Sequence, residues 1–403
     1  MTAFVEACHD PVVIEPGEEP IPLVEGSYHL EEHNGRLTLQ AWDSTRNLVR
    51  RIHGVSTRKP GRVELAVERF GKKTGTLLVF DRGRGGNISV ERRAVRMVLR
   101  ERFRRFLSRQ FTGWRIAELT TEADLEHSLS PAYPRALLTR GGSGWAALAS
   151  PDEAASADAA LTYGLIWLDY LRRRERRVLV EGLCLLLPTG REMATCLRST
   201  WLNPNAARLV VFAYDGPDWE AQAGPGAFGN LDTRVEPVGT PQEPRRLDLP
   251  EALLEAQLRR KIQHLDAELL PSPVYGQVPA WTGVERGILD LLACDRRGRL
   301  AVLELKASPD PHLPMQALDY WLRVRWHHTQ GDFVRQGYFP VVPLRAQPPR
   351  LLLVAPALAW HSSTETVLRY FAREVEVERF GVAVEWQREI RVLFRLRGSR
   401  APD

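Results

Sequence analysis

Lysine is scarce in this 403-residue chain: of 55 basic residues only Lys59, Lys72, Lys73, Lys261 and Lys306 are lysine, and the other 50 are arginine. Where lysine survives in such a background, either chance has kept it or a role does that guanidinium cannot fill, because only the ammonium is a compact charge with a tunable pKa. Cysteine is sparse as well. Cys8, Cys184, Cys196 and Cys294 form no CxxC pair, which argues against a zinc site and against a disulfide framework. No stretch approaches the roughly 20 continuous apolar residues of a membrane span. The N-terminus MTAFVEACHDPVV lacks a basic segment followed by an apolar one, so it does not read as a signal peptide, and the cytoplasm is the expected location. What remains is the composition of an ordinary soluble protein, 44% hydrophobic and 26% charged. Its length exceeds the roughly 250 to 300 residues at which a single core stops growing, so two or three domains are expected. The net charge of +5 favours a polyanionic partner.

The hydrophobic pattern divides the chain. Residues 1–90 read as a β-rich module, with an Asn34-Gly35 hairpin signal and two alternating runs on either side of Lys72 to Gly75. From Glu91 the period becomes helical: Val95, Val98, Leu99, Phe103, Phe106, Leu107 and Phe111 form one apolar stripe. The other face carries Arg92, Arg93, Arg96, Arg100, Arg102, Arg104, Arg105 and Arg109, a set that suits nucleic-acid phosphates and equally a solvated helix face. Residues 91–215 read as an α/β domain, 216–250 as a Gly/Pro-rich linker, and 251–403 as a second α/β domain. The order of elements repeats across that linker, with a shared Leu-Asp-Tyr followed by arginines. Either the chain is duplicated or two α/β units share a common order. If duplicated, the first copy has lost its chemistry, since Ala147 and Ala149 stand where Glu304 and Lys306 stand in the second.

The chemistry sits in GILDLLACDRRGRLAVLELKAS, two strands joined by a turn built on Asp295 and Gly298. Strand alternation puts Glu304 and Lys306 on one face and sends Leu303 and Leu305 to the other, and Asp290 on the neighbouring strand can face the pair. Charges inside hydrophobic strands cost several kcal/mol each unless a partner or a metal neutralises them. Two carboxylates beside one ammonium suit Mg²⁺ or Mn²⁺, held by Asp and Glu oxygens together with water and substrate phosphate. That is an arrangement for cleaving phosphodiesters, with Lys306 positioning water or stabilising the transition state.

An acidic residue, a short hairpin and then Glu-x-Lys resemble the signature of the PD-(D/E)XK nuclease superfamily, and the resemblance covers residues 250–395. It implies a restriction-endonuclease-like mixed sheet flanked by helices, and Mg²⁺-dependent hydrolysis of DNA by a restriction, repair or defence enzyme. It also implies a glutamate on the preceding helix, best matched by Glu255 with Glu251 as the fallback, and a glutamine on the following helix, matched by Gln316. The superfamily's proline before the aspartate is absent, Leu289 taking its place. Asp290, Glu304 and Glu255 are then the expected metal ligands, with Arg286 beside the site as a phosphate contact. A homodimer fits, because cutting two strands takes two sites. The rival readings are a non-catalytic nucleic-acid-binding or scaffold protein, and a nuclease gated by a ligand or partner through its upstream domains. His327 and His328 read as one buried and one exposed, Trp281, Trp321 and Trp326 as packing residues, Asp295 as a turn residue, and Asp310 and Asp319 as outside the metal shell.

Overall fold

The computed structural model describes residues 2–15, 20–24, 26–33, 36–42, 47–69, 73–81, 88–124, 126–215, 219–224, 250–282 and 285–398. It is a mixed α/β protein with three sheets. The chain forms two compact units, one comprising 1–114 with 119–121 and 132–134, the other comprising the remainder. Among the described residues no helix is long and apolar enough to cross a membrane.

The first unit begins with helix α1 (Thr2–Glu6) and continues through strands β1 (Pro11–Ile14), β2 (Ile21–Pro22), β3 (Tyr28–His33), β4 (Arg36–Trp42), β5 (Asn47–Lys59), β6 (Arg62–Arg69) and β7 (Lys73–Asp81). They form one antiparallel sheet in the order β2-β1-β7-β6-β5-β4-β3. Alternation buries Leu39, Leu65, Leu77 and Val79 in one cluster, as expected of strands with a single packed face. The β3–β4 register runs to His33 opposite Arg36, while the Asn34-Gly35 turn itself lies outside the described residues. Helix α2 (Ile88–Gln110) starts three residues before the expected Glu91. Its stripe buries Leu99, Phe103, Phe106 and Leu107, and the Phe103 and Phe106 rings stack at 6.3 Å.

The second unit holds two six-stranded sheets of the same design, save for residues 119–120 at the end of one edge strand. One comprises β8 (Arg115–Thr120), β9 (Arg135–Arg140), β10 (Ser143–Ala149), β11 (Leu179–Pro188), β12 (Arg208–Asp215) and β13 (Trp219–Ala223), with helix α3 (Ala154–Arg174) between β10 and β11 and α4 (Glu192–Ser199) between β11 and β12. Helices α5 (Pro250–Arg260) and α6 (Ile262–Leu265) lead into the other. It comprises β14 (Tyr275–Thr282), β15 (Glu285–Cys294), β16 (Leu300–Leu305), β17 (Arg350–Pro356), β18 (Val377–Val382) and β19 (Val392–Arg397). Helices α7 (Leu313–Thr329) and α8 (Asp332–Arg335) cross from β16 to β17, and α9 (Thr364–Leu368) crosses from β17 to β18. Both sheets follow chain order from edge to edge. In each, the third strand pairs antiparallel with the second and parallel with the fourth, the fourth is parallel to the fifth, and the fifth is antiparallel to the sixth. The parallel steps are the ones that need a helical crossover, and α3, α4, α7 and α9 supply them.

β13 corrects the reading of 216–250 as linker throughout. Trp219–Ala223 pairs with β12, because a free sheet edge recruits a short segment whose own pattern is swamped by nearby Gly and Pro. Residues 216–218 and 225–249 lie outside the described residues.

Candidate active site

The hairpin that carries the acidic residues is held at its turn by Asp295, whose Oδ1 accepts the N–H groups of Arg297 and Arg299 at 2.8 and 2.9 Å. Gly298 completes the turn with φ +89°, where a Cβ would meet the Pro343 carbonyl oxygen at 2.0 Å. From there β15 and β16 pair from Cys294 opposite Leu300 to Leu291 opposite Leu303. Beyond that point the Leu305 N–H is bonded by the Asp290 side chain, its Oδ2 accepting at 2.9 Å. A carboxylate thus takes over the backbone donor, and Asp290 is fixed over β16.

Leu303 and Leu305 enter a core with Leu254, Leu258, Leu291, Val354 and Phe380, which leaves Glu304 on the opposite face of the strand. Glu304 is only 1% exposed, and both of its carboxylate oxygens are buried without a hydrogen-bond donor among the described residues. Burial raises its pKa well above the usual carboxylate range, and the nearby charges of Asp290 and Glu251 add to the rise, against the pull of Lys306. Asp290 is pushed up to about 6, again chiefly by burial, with the Leu305 N–H and Lys306 opposing. Like charges held together in a dry site are the arrangement in which an added cation or proton is most strongly bound.

The Lys306 ammonium acts on both carboxylates and forms its nearest ion pair with Asp310, Nζ to Oδ2 3.8 Å. The backbone N–H of Lys306 donates to the Val354 carbonyl on β17 at 3.0 Å. The sequence-predicted Asp290, Glu304 and Lys306 therefore stand together. Gln316 stands one step away on α7, donating from Nε2 to the Tyr320 hydroxyl at 3.3 Å.

Glu255 is buried on α5 with Oε1 over Gly276 of β14, where an added Cβ would lie 2.6 Å from that oxygen and 3.2 Å from Arg259 Nη1. One turn earlier the exposed Glu251 is the helix carboxylate whose charge reaches Asp290 and Glu304. Tyr320 was not singled out by sequence. Its phenol is raised to about 12 by burial and by the charges of Glu304 and Asp290. The signal was available, since Tyr320 follows Gln316 by four residues and the two share a helix face.

Of the arginines read as phosphate contacts, the side chains of Arg92 and Arg286 lie outside the described residues. Arg104 is engaged with Glu101, Arg100 donates to the Leu119 carbonyl at 3.4 Å, and Arg96 is half-buried. His327 is buried against Asp332 at 2.7 Å, and His328 is half-buried on the Arg345 carbonyl at 2.6 Å. Trp321 is buried in the core.

Among the described residues no group of three or more His, Cys, Asp or Glu is arranged to hold a metal ion. The donor set nonetheless suits a hard divalent cation, which is commonly bound by one or two carboxylates with water and phosphate filling the remaining positions. The orphaned oxygens of Glu304 beside Asp290 are such a pair.

The other sheet of this unit provides an internal control. In its hairpin Arg140 pairs with Ser143 and Ala136 pairs with Ala147. Ala136 lies four residues before the hairpin end, as Asp290 does before Cys294, and Ala147 lies four after Ser143, as Glu304 does after Leu300. Ala136, Ala147 and Ala149 thus occupy the positions of Asp290, Glu304 and Lys306, and all three are fully buried. An Ala-Ser-Pro-Asp run occurs at the end of β10, at 149–152, and just after β16, at 307–310, starting six residues after Ser143 and seven after Leu300. No protein-family model matches the chain, and comparison with curated proteins finds no relative.

Proposed function

We propose that residues 251–403 form a PD-(D/E)XK-type, restriction-endonuclease-like domain that hydrolyses DNA phosphodiester bonds with Mg²⁺ or Mn²⁺. The single observation that carries this reading is Glu304: a fully buried carboxylate without a donor, beside a second carboxylate and a lysine. A structural ion-pair cluster is the weaker account, because there each carboxylate would be expected to bond a cation directly. The fold agrees with the resemblance, in that the antiparallel hairpin β15–β16 carries the acidic pair and the next strand is reached by a helix bearing Gln316.

Asp290 and Glu304 would hold the ion, and when bound it supplies positive charge against the phosphate and makes water more acidic. Lys306 contributes the ammonium that orients attacking water and offsets charge building on the phosphoryl oxygens. The Leu305 N–H keeps Asp290 in place, so little reorganisation is needed as substrate arrives. Gln316 and Tyr320 form a polar wall beside the acidic pair.

Purified protein incubated with labelled duplex, branched and single-stranded DNA and with RNA is expected to cut DNA only when Mg²⁺ or Mn²⁺ is present. Asp290→Asn, Glu304→Gln and Lys306→Ala should each lower the rate by about 100-fold or more, the scale of losing one charge stabiliser in an active site. Cleavage that survives all three substitutions, or none by the intact protein with either ion, refutes the reading.

A further inference from the structure

The two six-stranded halves of the second unit pack on each other through equivalent elements. Helix α3 meets α9, and α4, the counterpart of α9, meets α7, the counterpart of α3. At the centre Leu202 pairs antiparallel with Phe371, each three residues beyond the end of its helix, α4 or α9. The flanking bonds are reciprocal: Asn203 N–H to the Tyr370 carbonyl and Ala372 N–H to the Trp201 carbonyl, both 2.8 Å. Arginines also reach across in both directions, from positions about one turn apart in the shared Leu-Asp-Tyr frame. Arg325 of α7 lies over the Trp201 ring at 4.5 Å, and Arg172 of α3 lies over the Tyr370 ring at 5.9 Å. Trp201 and Tyr370 are each two residues past their helices. This is the self-complementary pattern of a two-fold dimer, in which patch i meets j and j meets i.

The seam also reaches Gln316 and Tyr320, though not the charged trio itself. A cleft of about 470 Å³ is lined by Gln316 and Tyr320 on one side and by Asp158 and Arg198 of the alanine-bearing half on the other. Arg198 is buried there, bonded to the Asp158 carbonyl at 3.0 Å and 3.5 Å from Asp319.

We infer that these two halves are an intramolecular pseudo-dimer with one working and one vacated centre, and that, resting on the nuclease reading above, the chain cuts one strand of a duplex per encounter. The antiparallel strands of DNA are themselves related by two-fold axes, so a two-fold protein addresses one strand with each half. Here the half that would address the second strand carries Ala136, Ala147 and Ala149 in place of the charged trio. The helical face that a second chain would otherwise cover is occupied from within the chain.

Supercoiled plasmid, in excess over protein and with Mn²⁺ or Mg²⁺, tests this. Open circle is expected to accumulate first, with linear DNA appearing only after a lag as independent nicks coincide. Linear product formed directly from supercoil would overturn the inference and leave the nuclease reading standing. No product of either kind would sink the nuclease reading and this inference with it. Adding an excess of Lys306→Ala chains should leave the nicking rate per wild-type chain unchanged. A fall would mean that two chains act together, which also overturns it.

Discussion

Glu304 is held in a state that water would not give it. Its burial favours the neutral acid, and the same holds in milder form for Asp290. Both groups have a folded pKa above the unfolded value. Without metal, then, their contribution to stability is complete below the ordinary carboxylate range near pH 4 and is lost as pH rises through about 6 for Asp290 and higher for Glu304. Metal-free protein should therefore melt at falling temperature between pH 5 and pH 8. Mn²⁺ or Mg²⁺ should raise the melting temperature more at pH 8 than at pH 5, since ligation needs the ionised form. Asp290→Asn removes one of the opposed charges while keeping an oxygen for the Leu305 N–H, and should stabilise the metal-free protein at pH 8 by about 1–2 kcal/mol. Differential scanning calorimetry checks both, and a flat pH profile would show that the pair carries no such strain.

Helix α5 sorts two glutamates by one turn. Glu255 is buried with Oε1 over Gly276, while the charge of Glu251 acts on the acidic pair. Glu255→Gln should cost about 1–3 kcal/mol of stability, the scale of disturbing a buried polar group. Glu251→Gln should leave the melting temperature within about 1 °C and change cleavage and its metal dependence. If instead Glu255→Gln impairs cleavage at unchanged stability, the assignment is reversed. Much of this was legible in the sequence. Period-two alternation set the faces of Glu304 and Lys306, and the rarity of lysine drew attention to Lys306. The choice between Glu251 and Glu255 was not legible, because both lie beside the apolar stripe and only the position of β14, with its glycine at 276, decides which of them is covered. β13 was equally hidden, since its pairing with β12 comes from the sheet and not from its own five residues.

For the whole molecule, the repeated order of strands and helices could be read before any coordinates, as could the alanines at 147 and 149. The third alanine was not apparent, because locating Ala136 takes the hairpin register that sets it opposite Ala147. The reciprocal seam through Leu202 and Phe371 was hidden for a similar reason: its residues are 169 positions apart and share no motif. The presence of Ala136, Ala147 and Ala149 in one half where the other carries Asp290, Glu304 and Lys306 has a further consequence. One half lacks the internal charge conflict of the other, so two sheets of one design should differ in how readily they open. In metal-free protein at pH 8, native-state hydrogen exchange should be slower at the amides of β10 and β11 than at those of β16 and β17. Lowering the pH to 4.5 should narrow the gap once intrinsic rates are corrected. On the proposed nuclease reading, the alanine-bearing half would then be the more rigid template against which the half with Asp290, Glu304 and Lys306 is kept folded.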